Sequence, residues 1–291
     1  MQKILLLNAK GGSGKTTLAS NLASYFAVQG LQPTLIDMDA QGSSTRWLSK
    51  RGMEHAPIHG IAGYERNSRV TRSFAMRIPQ DCQRVVVDTP AALDPQKMPE
   101  LTRDAHAILV PVLPSDIDIH AAAKCITDLL LVAKIPRHEQ RIGVIANRVK
   151  KNTVMYRALM RFLTTLEIPI LTTFRDSQNY VKAAESGIGI FEMKPYLVRE
   201  DIDQWLPLVG WLAQKNSASK DSAAKPPASA PIVNTVTSQS IATPFVLAAS
   251  QSVVASLPLS ATASAAAPSS SESSSSAPTE AESGRNAWGV F

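Results

Sequence analysis

Short apolar runs alternate with amphipathic stretches over the first 216 residues. Lys3–Asn8 (KILLLN) is aliphatic and closed by glycines, the mark of a strand buried on both faces. Comparable runs occupy Pro33–Met38, Arg84–Asp88, Ala107–Val112, Arg141–Ala146 and Ile168–Phe174. Between them, apolar residues recur at helical spacing. Leu18, Leu22 and Phe26 form one stripe of a helix predicted over Thr16–Val28 and ended by Gly30. Two more helices are predicted at Asp118–Leu131 and Tyr156–Leu166. Trp205, Pro207 and Trp211 fall in a last helical segment expected to dock on the sheet. Regular alternation of strand and helix predicts an α/β fold with a doubly wound, mainly parallel sheet. Residues 50–80 carry no clear strand.

The pattern stops near residue 216. From Ser217 to Phe291, 19 of 75 residues are Ser, 17 are Ala and 7 are Pro. Such a segment buries too little apolar area to offset its chain entropy, so a disordered tail is expected over 217–291. Its end, Gly284–Phe291, breaks that composition with Trp288 and Phe291 and resembles a short docking motif. Residues 1–216 are then one α/β domain, not the two domains that 291 residues would suggest.

Charge follows the same division. The chain carries 30 Lys+Arg and 24 Asp+Glu, a net of +6; the tail holds 3 basic and 4 acidic groups, so residues 1–216 carry +7. From Arg141 to Leu166 there are six basic residues and no acid. Arg157 and Arg161 lie four apart and share a helix face. With Arg148, Lys150 and Lys151 they make a stripe suited to a phosphate backbone, with no pattern for reading bases. A second acid-poor stretch, Arg66–Arg77, reads as a solvated loop or a partner surface. No apolar run approaches the ~18 residues of a membrane span. Two cysteines, Cys82 and Cys125, make neither a disulfide framework nor a zinc site.

The sharpest chemical signal is Lys10-Gly11-Gly12-Ser13-Gly14-Lys15-Thr16-Thr17, set between the first strand and the first helix. This is the context a P-loop requires. Glycines let backbone amides turn inward around an anion, and the helix N-terminus adds its dipole. Lys15 can reach the β- and γ-phosphates, Thr16 offers a hydroxyl to Mg²⁺, and Thr17 is placed for an α-phosphate oxygen. Carboxylates for Mg²⁺ and for the attacking water are expected at strand ends, where Asp37, Asp39 and Asp88 stand.

The strict Walker pattern would put glycine at Ala9; instead there is a second lysine, Lys10, five positions before Lys15. This loop resembles the deviant Walker A of the ParA/MinD family of ATPases. Residues 37–44 (DMDAQGSS) are similar to the family's D-x-D-P-Q-G segment, with Ala40 where proline is commoner. Asp88-Thr89-Pro90 resembles its Walker B aspartate and following proline. Asn147-Arg148 resembles its pair near the adenine, and Arg175, Tyr180, Ala183 and Gly187 match a later motif. The resemblance implies roles. Asp39 would orient the hydrolytic water, Asp37 would lie near the Mg²⁺ shell, and Asp88 would hold Mg²⁺ through water. Lys10 would cross an ATP-sandwich homodimer to touch the partner's nucleotide phosphates. With Lys10, Lys15 and Asp39 as catalytic groups, the chain is expected to be a Mg²⁺-dependent ATP hydrolase.

No helix-turn-helix extension precedes the loop, so the chain looks like a short ParA-like protein. The resemblance implies ATP-dependent, non-specific DNA binding, a cytoplasmic, nucleoid-associated location, and hydrolysis stimulated by a ParB-like or cargo-adaptor protein. The cargo would be a plasmid, a chromosome locus or a protein assembly. A MinD-like membrane-associated ATPase is the alternative. It needs a basic amphipathic C-terminal helix, and the tail has only Arg285 near its end.

Overall fold

The computed structural model describes residues 1–64, 77–91 and 93–223. The chain divides into Met1–Ser229 and Ala230–Phe291; the second unit, with Trp288 and Phe291, lies outside the described residues. So do Arg66, Arg69 and Arg72 of the second basic stretch.

Among the described residues seven strands make one sheet: β1 (Gln2–Leu6), β2 (Pro33–Asp37), β3 (His59–Ala62), β4 (Arg84–Asp88), β5 (Ala107–Val112), β6 (Ile142–Val149) and β7 (Ile170–Arg175). Their order is β3-β2-β4-β1-β5-β6-β7, and every pairing is parallel. The helices between them are α1 (Lys15–Val28), α2 (Ser43–Ser49), α3 (Met98–Thr102), α4 (Asp116–Leu131) and α5 (Val154–Thr165); α6 (Asn179–Glu185) and α7 (Pro195–Ala223) follow β7.

The middles of the central strands are apolar because both faces are covered. Alternate residues feed two separate cores. Leu5, Val85, Val87, Ile108 and Val110 pack with Ala122, Cys125 and Leu129 of α4 and Leu159 and Leu163 of α5. Ile4, Leu6, Val86 and Leu109 pack with Leu18, Leu22 and Phe26 of α1 and Trp205, Leu208 and Leu212 of α7. Cys82 and Cys125 are free thiols buried in the first of these cores. The sheet is therefore doubly wound, as the alternation predicts. The expected docking of the last helix is also seen, with Trp205 fully buried.

Three differences have physical reasons. First, β3 lies inside residues 50–80, where no strand is expected. It is a four-residue edge strand with Ile61 as its buried residue, too short to show a period. Second, α2, α3 and α6 have five to seven residues each, under two turns, and leave little helical periodicity. Third, α7 runs to Ala223, seven residues past the boundary expected at 216. Once nucleated on the core, a helix can propagate past its last apolar residue, which the apolar pattern does not report. Pro207 sits within α7. Its missing N–H leaves the Asp203 carbonyl without its helical donor, on a face exposed to water.

A buried ion pair ties the turn after α2 to the segment before α7, on the α1 side of the sheet. Arg51, after α2, donates to both carboxylate oxygens of Glu192, and each side chain is 5% exposed. Glu192 also accepts from Ser24 of α1 and from the Gly189 amide. Burial pushes the Glu192 carboxyl up, but the Arg51, Gly189 and Ser24 hydrogen bonds outweigh it and hold it below its ordinary value. Arg51→Ala would strand that carboxylate, at a cost of about 3–5 kcal/mol. The melting temperature should fall by on the order of 10 °C in thermal denaturation. A drop under about 2 °C would show that solvent reaches Glu192 and that the pair is dispensable.

Candidate nucleotide-binding site

The loop between β1 and α1 is anchored before it turns. Asn8 donates from Nδ2 to the Pro111 carbonyl (2.6 Å), and its Oδ1 accepts the Lys10 amide (3.1 Å). Gly12 and Gly14 follow with φ of 77° and 97°, in the left-handed region that glycine adopts without strain. At Gly14 space is missing as well: a Cβ there would lie 2.2 Å from Asn147 Nδ2. The loop delivers Lys15 to the first position of α1, whose first-turn amides have no helical acceptors.

Lys15 is buried under this turn. Its Nζ donates to the carbonyls of Asn8 and Lys10, each at 3.2 Å. Burial lowers its pKa, opposed by the charges of Asp88 and Asp39. Beside it, Thr16 Oγ1 donates to Asp88 Oδ2 (2.7 Å), and Ser44 Oγ of α2 donates to the same oxygen (2.7 Å). Asp88 Oδ1 is buried and has no hydrogen-bond partner among the described residues; neither has Ser13 Oγ. Burial pushes the Asp88 carboxyl up to about 6, against the Ser44 and Thr16 hydrogen bonds.

The other expected residues sort into four places. Asp37 and Asp39 shape the segment between β2 and α2. Asp37 accepts from the Asp39 amide and from both the amide and hydroxyl of Thr45. Its carboxylate thus folds the segment that carries Asp39. Asp39 is half-buried, with Oδ1 accepting the Gln41 amide (3.0 Å). Lys10 Nζ lies 2.7 Å from Asp118 Oδ2 at the start of α4. Ser115 caps that helix by accepting the Asp118 amide and also donates to the Asp118 carboxylate.

Asn147 and Arg148 sit at an irregularity. The β6–β7 register shifts between Ala146 and Val149, and Arg148 has a φ of 50°. The break lets Asn147 Nδ2 reach the Ser13 carbonyl (2.8 Å), buttressing the loop. Arg148 pairs with Asp176 (3.0 Å). Both line a cleft of about 220 Å³ that runs from Gly12, Gly14 and Thr17 to Phe174 and Tyr180.

Of the basic stripe, Lys150, Lys151, Arg157 and Arg161 are exposed at the β6–α5 turn and along α5. Arg141 does not join them. It lies at the opposite end of β6, bound to Glu139 and to the carbonyls of Thr102 and Ala105. A parallel strand separates the two ends of a run that is continuous in sequence.

Sequence reasoning missed Ser44, Asp118 and the cleft wall after β7. Ser44 had a signal, as a hydroxyl at a helix start seven residues after Asp37. Asp118 follows Ser115 in a capping pattern, but nothing local links it to Lys10, 108 positions away.

Three comparisons bear on this geometry. A family model described as the CobQ/CobB/MinD/ParA nucleotide binding domain matches residues 4–190. The chain belongs to this family. Within it, the chain is similar to two proteins named for maintenance of carboxysome distribution. That of Halothiobacillus neapolitanus is 28% identical over 191 residues, covering 65% of this chain and 87% of the relative. That of Gloeobacter kilaueensis is 30% identical over 204 residues, covering 68% and 87%. Among solved structures, a putative plasmid partition protein of Borrelia burgdorferi bound to AMPPNP matches with a TM-score of 0.55 at 16% identity. That match covers 72% of this chain and 98% of the other, and it shows the shared ParA/MinD fold.

The residues of this ParA/MinD-type site fit a nucleoside triphosphate with Mg²⁺. Two buried oxygens, Asp88 Oδ1 and Ser13 Oγ, lack partners among the described residues, beside a glycine cradle, a buried ammonium and the N-terminus of α1. The raised Asp88 pKa has a measurable sign. The folded state keeps this proton up to about 6, whereas the unfolded side chain loses it near 3.8. Ionisation therefore costs stability as pH rises through that window, on the order of 3 kcal/mol in full. In chelator, Asp88→Asn should gain on wild type in melting temperature from pH 4 to pH 7. A difference that stays constant across that range would mean Asp88 ionises normally.

Proposed function

We propose that this chain is a Mg²⁺-dependent ATPase that switches between states to position or partition a cargo. The observation that carries the reading is the meeting of Lys15, Thr16 and Asp88 under a loop that also bears Lys10. Family membership and relatives named for carboxysome distribution support it. A protein assembly, a plasmid or a chromosome locus is the class of cargo.

Gly11 to Thr17 hold the phosphates, with Lys15 on the β- and γ-oxygens and the amides at the start of α1 on the remaining charge. The Thr16 hydroxyl and, by way of water, Asp88 would hold Mg²⁺, which would supply charge neutralisation on the transferred phosphoryl group. Asp37 holds the segment bearing Asp39, and Asp39 accepts a hydrogen bond from the attacking water and so orients it. Asn147 and Arg148 flank the nucleoside. Lys10 acts in trans in an ATP-sandwich homodimer, exchanging Asp118 for the second copy's phosphates.

Lys150, Lys151, Arg157 and Arg161 give the ATP-bound dimer a surface for non-specific DNA, extended by Arg148. Such binding would hold it on the nucleoid, in the cytoplasm. A ParB-like or cargo-adaptor partner would speed a slow basal hydrolysis. The ATPase domain takes in α7 as far as Ala223, past the 216 read from composition, and residues 284–291 serve as a docking motif. Among the described residues, no helix is long and apolar enough to cross a membrane.

Two measurements test this. Asp39→Ala should retain ATP while phosphate release falls at least tenfold; unchanged turnover would remove Asp39 from the chemistry. Arg157→Glu with Arg161→Glu should weaken ATP-dependent DNA binding for all sequences alike and reduce its salt dependence. Normal binding by that double variant would place the DNA surface elsewhere.

A further inference from the structure

The far wall of the cleft is fastened from behind by a residue that does not line it. Arg175, Ser177 and Tyr180 line the cleft between β7 and α6. Behind them, on α7, stands Asp201, whose side chain is 0% exposed. Four hydrogen bonds from three residues end on its carboxylate. Arg175 donates from Nε to Oδ1 (2.5 Å) and from Nη2 to Oδ2 (3.0 Å). Ser177 Oγ (3.2 Å) and Asn179 Nδ2 (2.6 Å) donate to Oδ2.

The next turn of α7 repeats the pattern. Gln204 Oε1 accepts the Arg175 amide (2.8 Å), and its carbonyl accepts Thr172 Oγ1 (2.5 Å). Trp205 Nε1 donates to the Tyr180 hydroxyl (3.0 Å), and its ring lies tilted against Phe174, centroids 4.7 Å apart. One face of one helix thus sets the backbone and side chains from 172 to 180. The opposite wall, Gly12, Gly14 and Thr17, belongs to the phosphate loop; Asp201 has no hydrogen bond to it among the described residues.

We infer that Asp201 is a positioning residue for the nucleoside half of the ligand, acting through Arg175, Ser177 and Asn179 on the wall of the cleft. This rests on reading the cleft as the nucleotide site. The chemistry is specific to a carboxylate. An ionised Asp is acceptor-only and can take a bidentate guanidinium together with two further donors. An amide of the same shape turns two N–H groups toward donors, leaving part of the guanidinium unpaired and the wall free to shift. The phosphate loop is held by other contacts, through Asn8, Asn147 and Lys15, and keeps its geometry.

The experiment is calorimetric titration of the full chain with Mg²⁺–ADP and, separately, with Mg²⁺–pyrophosphate. Wild type should bind ADP more tightly than pyrophosphate. Asp201→Asn should weaken ADP at least tenfold and leave pyrophosphate within twofold. Asn179→Ala, which removes one of the four bonds, should weaken ADP about threefold, again without changing pyrophosphate; it decides the matter if Asp201→Asn does not fold. Equal losses for the two ligands, or an unchanged ADP affinity, would overturn the role of Asp201. If wild type itself binds ADP no better than pyrophosphate, the cleft is not a nucleoside site and the underlying reading fails with it.

Discussion

Three parallel strands end level with one another, and the polar contacts at the centre of the site depend on that register. Leu6 of β1 pairs with Asp88 of β4, which pairs with Asp37 of β2. The phosphate loop, the buried carboxylate and the segment carrying Asp39 therefore leave the sheet at one height. Asp88 can then accept hydroxyls from two different connections, Thr16 after β1 and Ser44 after β2. Thr89 locks the arrangement by donating to the Leu6 carbonyl at 2.7 Å. Side chains alternate with a period of two. Slipping β4 by one residue would put Val87 where Asp88 stands and send the carboxylate into the opposite core.

Much of this frame was legible in the sequence because burial on both faces leaves an unbroken aliphatic run. KILLLN, RVVVD and AILVPV read as strands for that reason, and the order of strand and helix then fixed the fold class. The loop from Lys10 to Thr17 was legible because backbone geometry, dipole and charge each require particular residue types at fixed spacing. The unseen parts are short or distant. HGIA in β3 buries one residue against an edge, which leaves no period to detect. Asp118 and Asp201 are ordinary acids at helix positions; only the tertiary fold brings them to Lys10 and Arg175. The basic run from Arg141 misled in one respect, since β6 carries its first member to the other end of the sheet.

The C-terminal helix occupies an unusual position in the economy of the domain. Its apolar face completes the α1-side core through Trp205, Leu208 and Leu212. Its polar edge, through Asp201 and Gln204, holds the cleft wall. The same helix continues to Ala223, where the described chain stops. Packing and site geometry are thus carried by one rigid element, so losing the helix would remove both together.

Gly14 shows how little room for sequence drift such a site has. Two independent demands coincide there, a φ of 97° and a Cβ position already filled by the Asn147 amide. Shortening Asn147 would clear the space but leave any larger residue in a disfavoured backbone conformation. Relaxing the turn would restore the conformation but aim the first amides of α1 elsewhere. Neither single compensating change reopens the position to other side chains, so no path of one-step neutral substitutions leads away from glycine. The identity of that residue is held by geometry twice over, with its neighbour on β6 as the second lock.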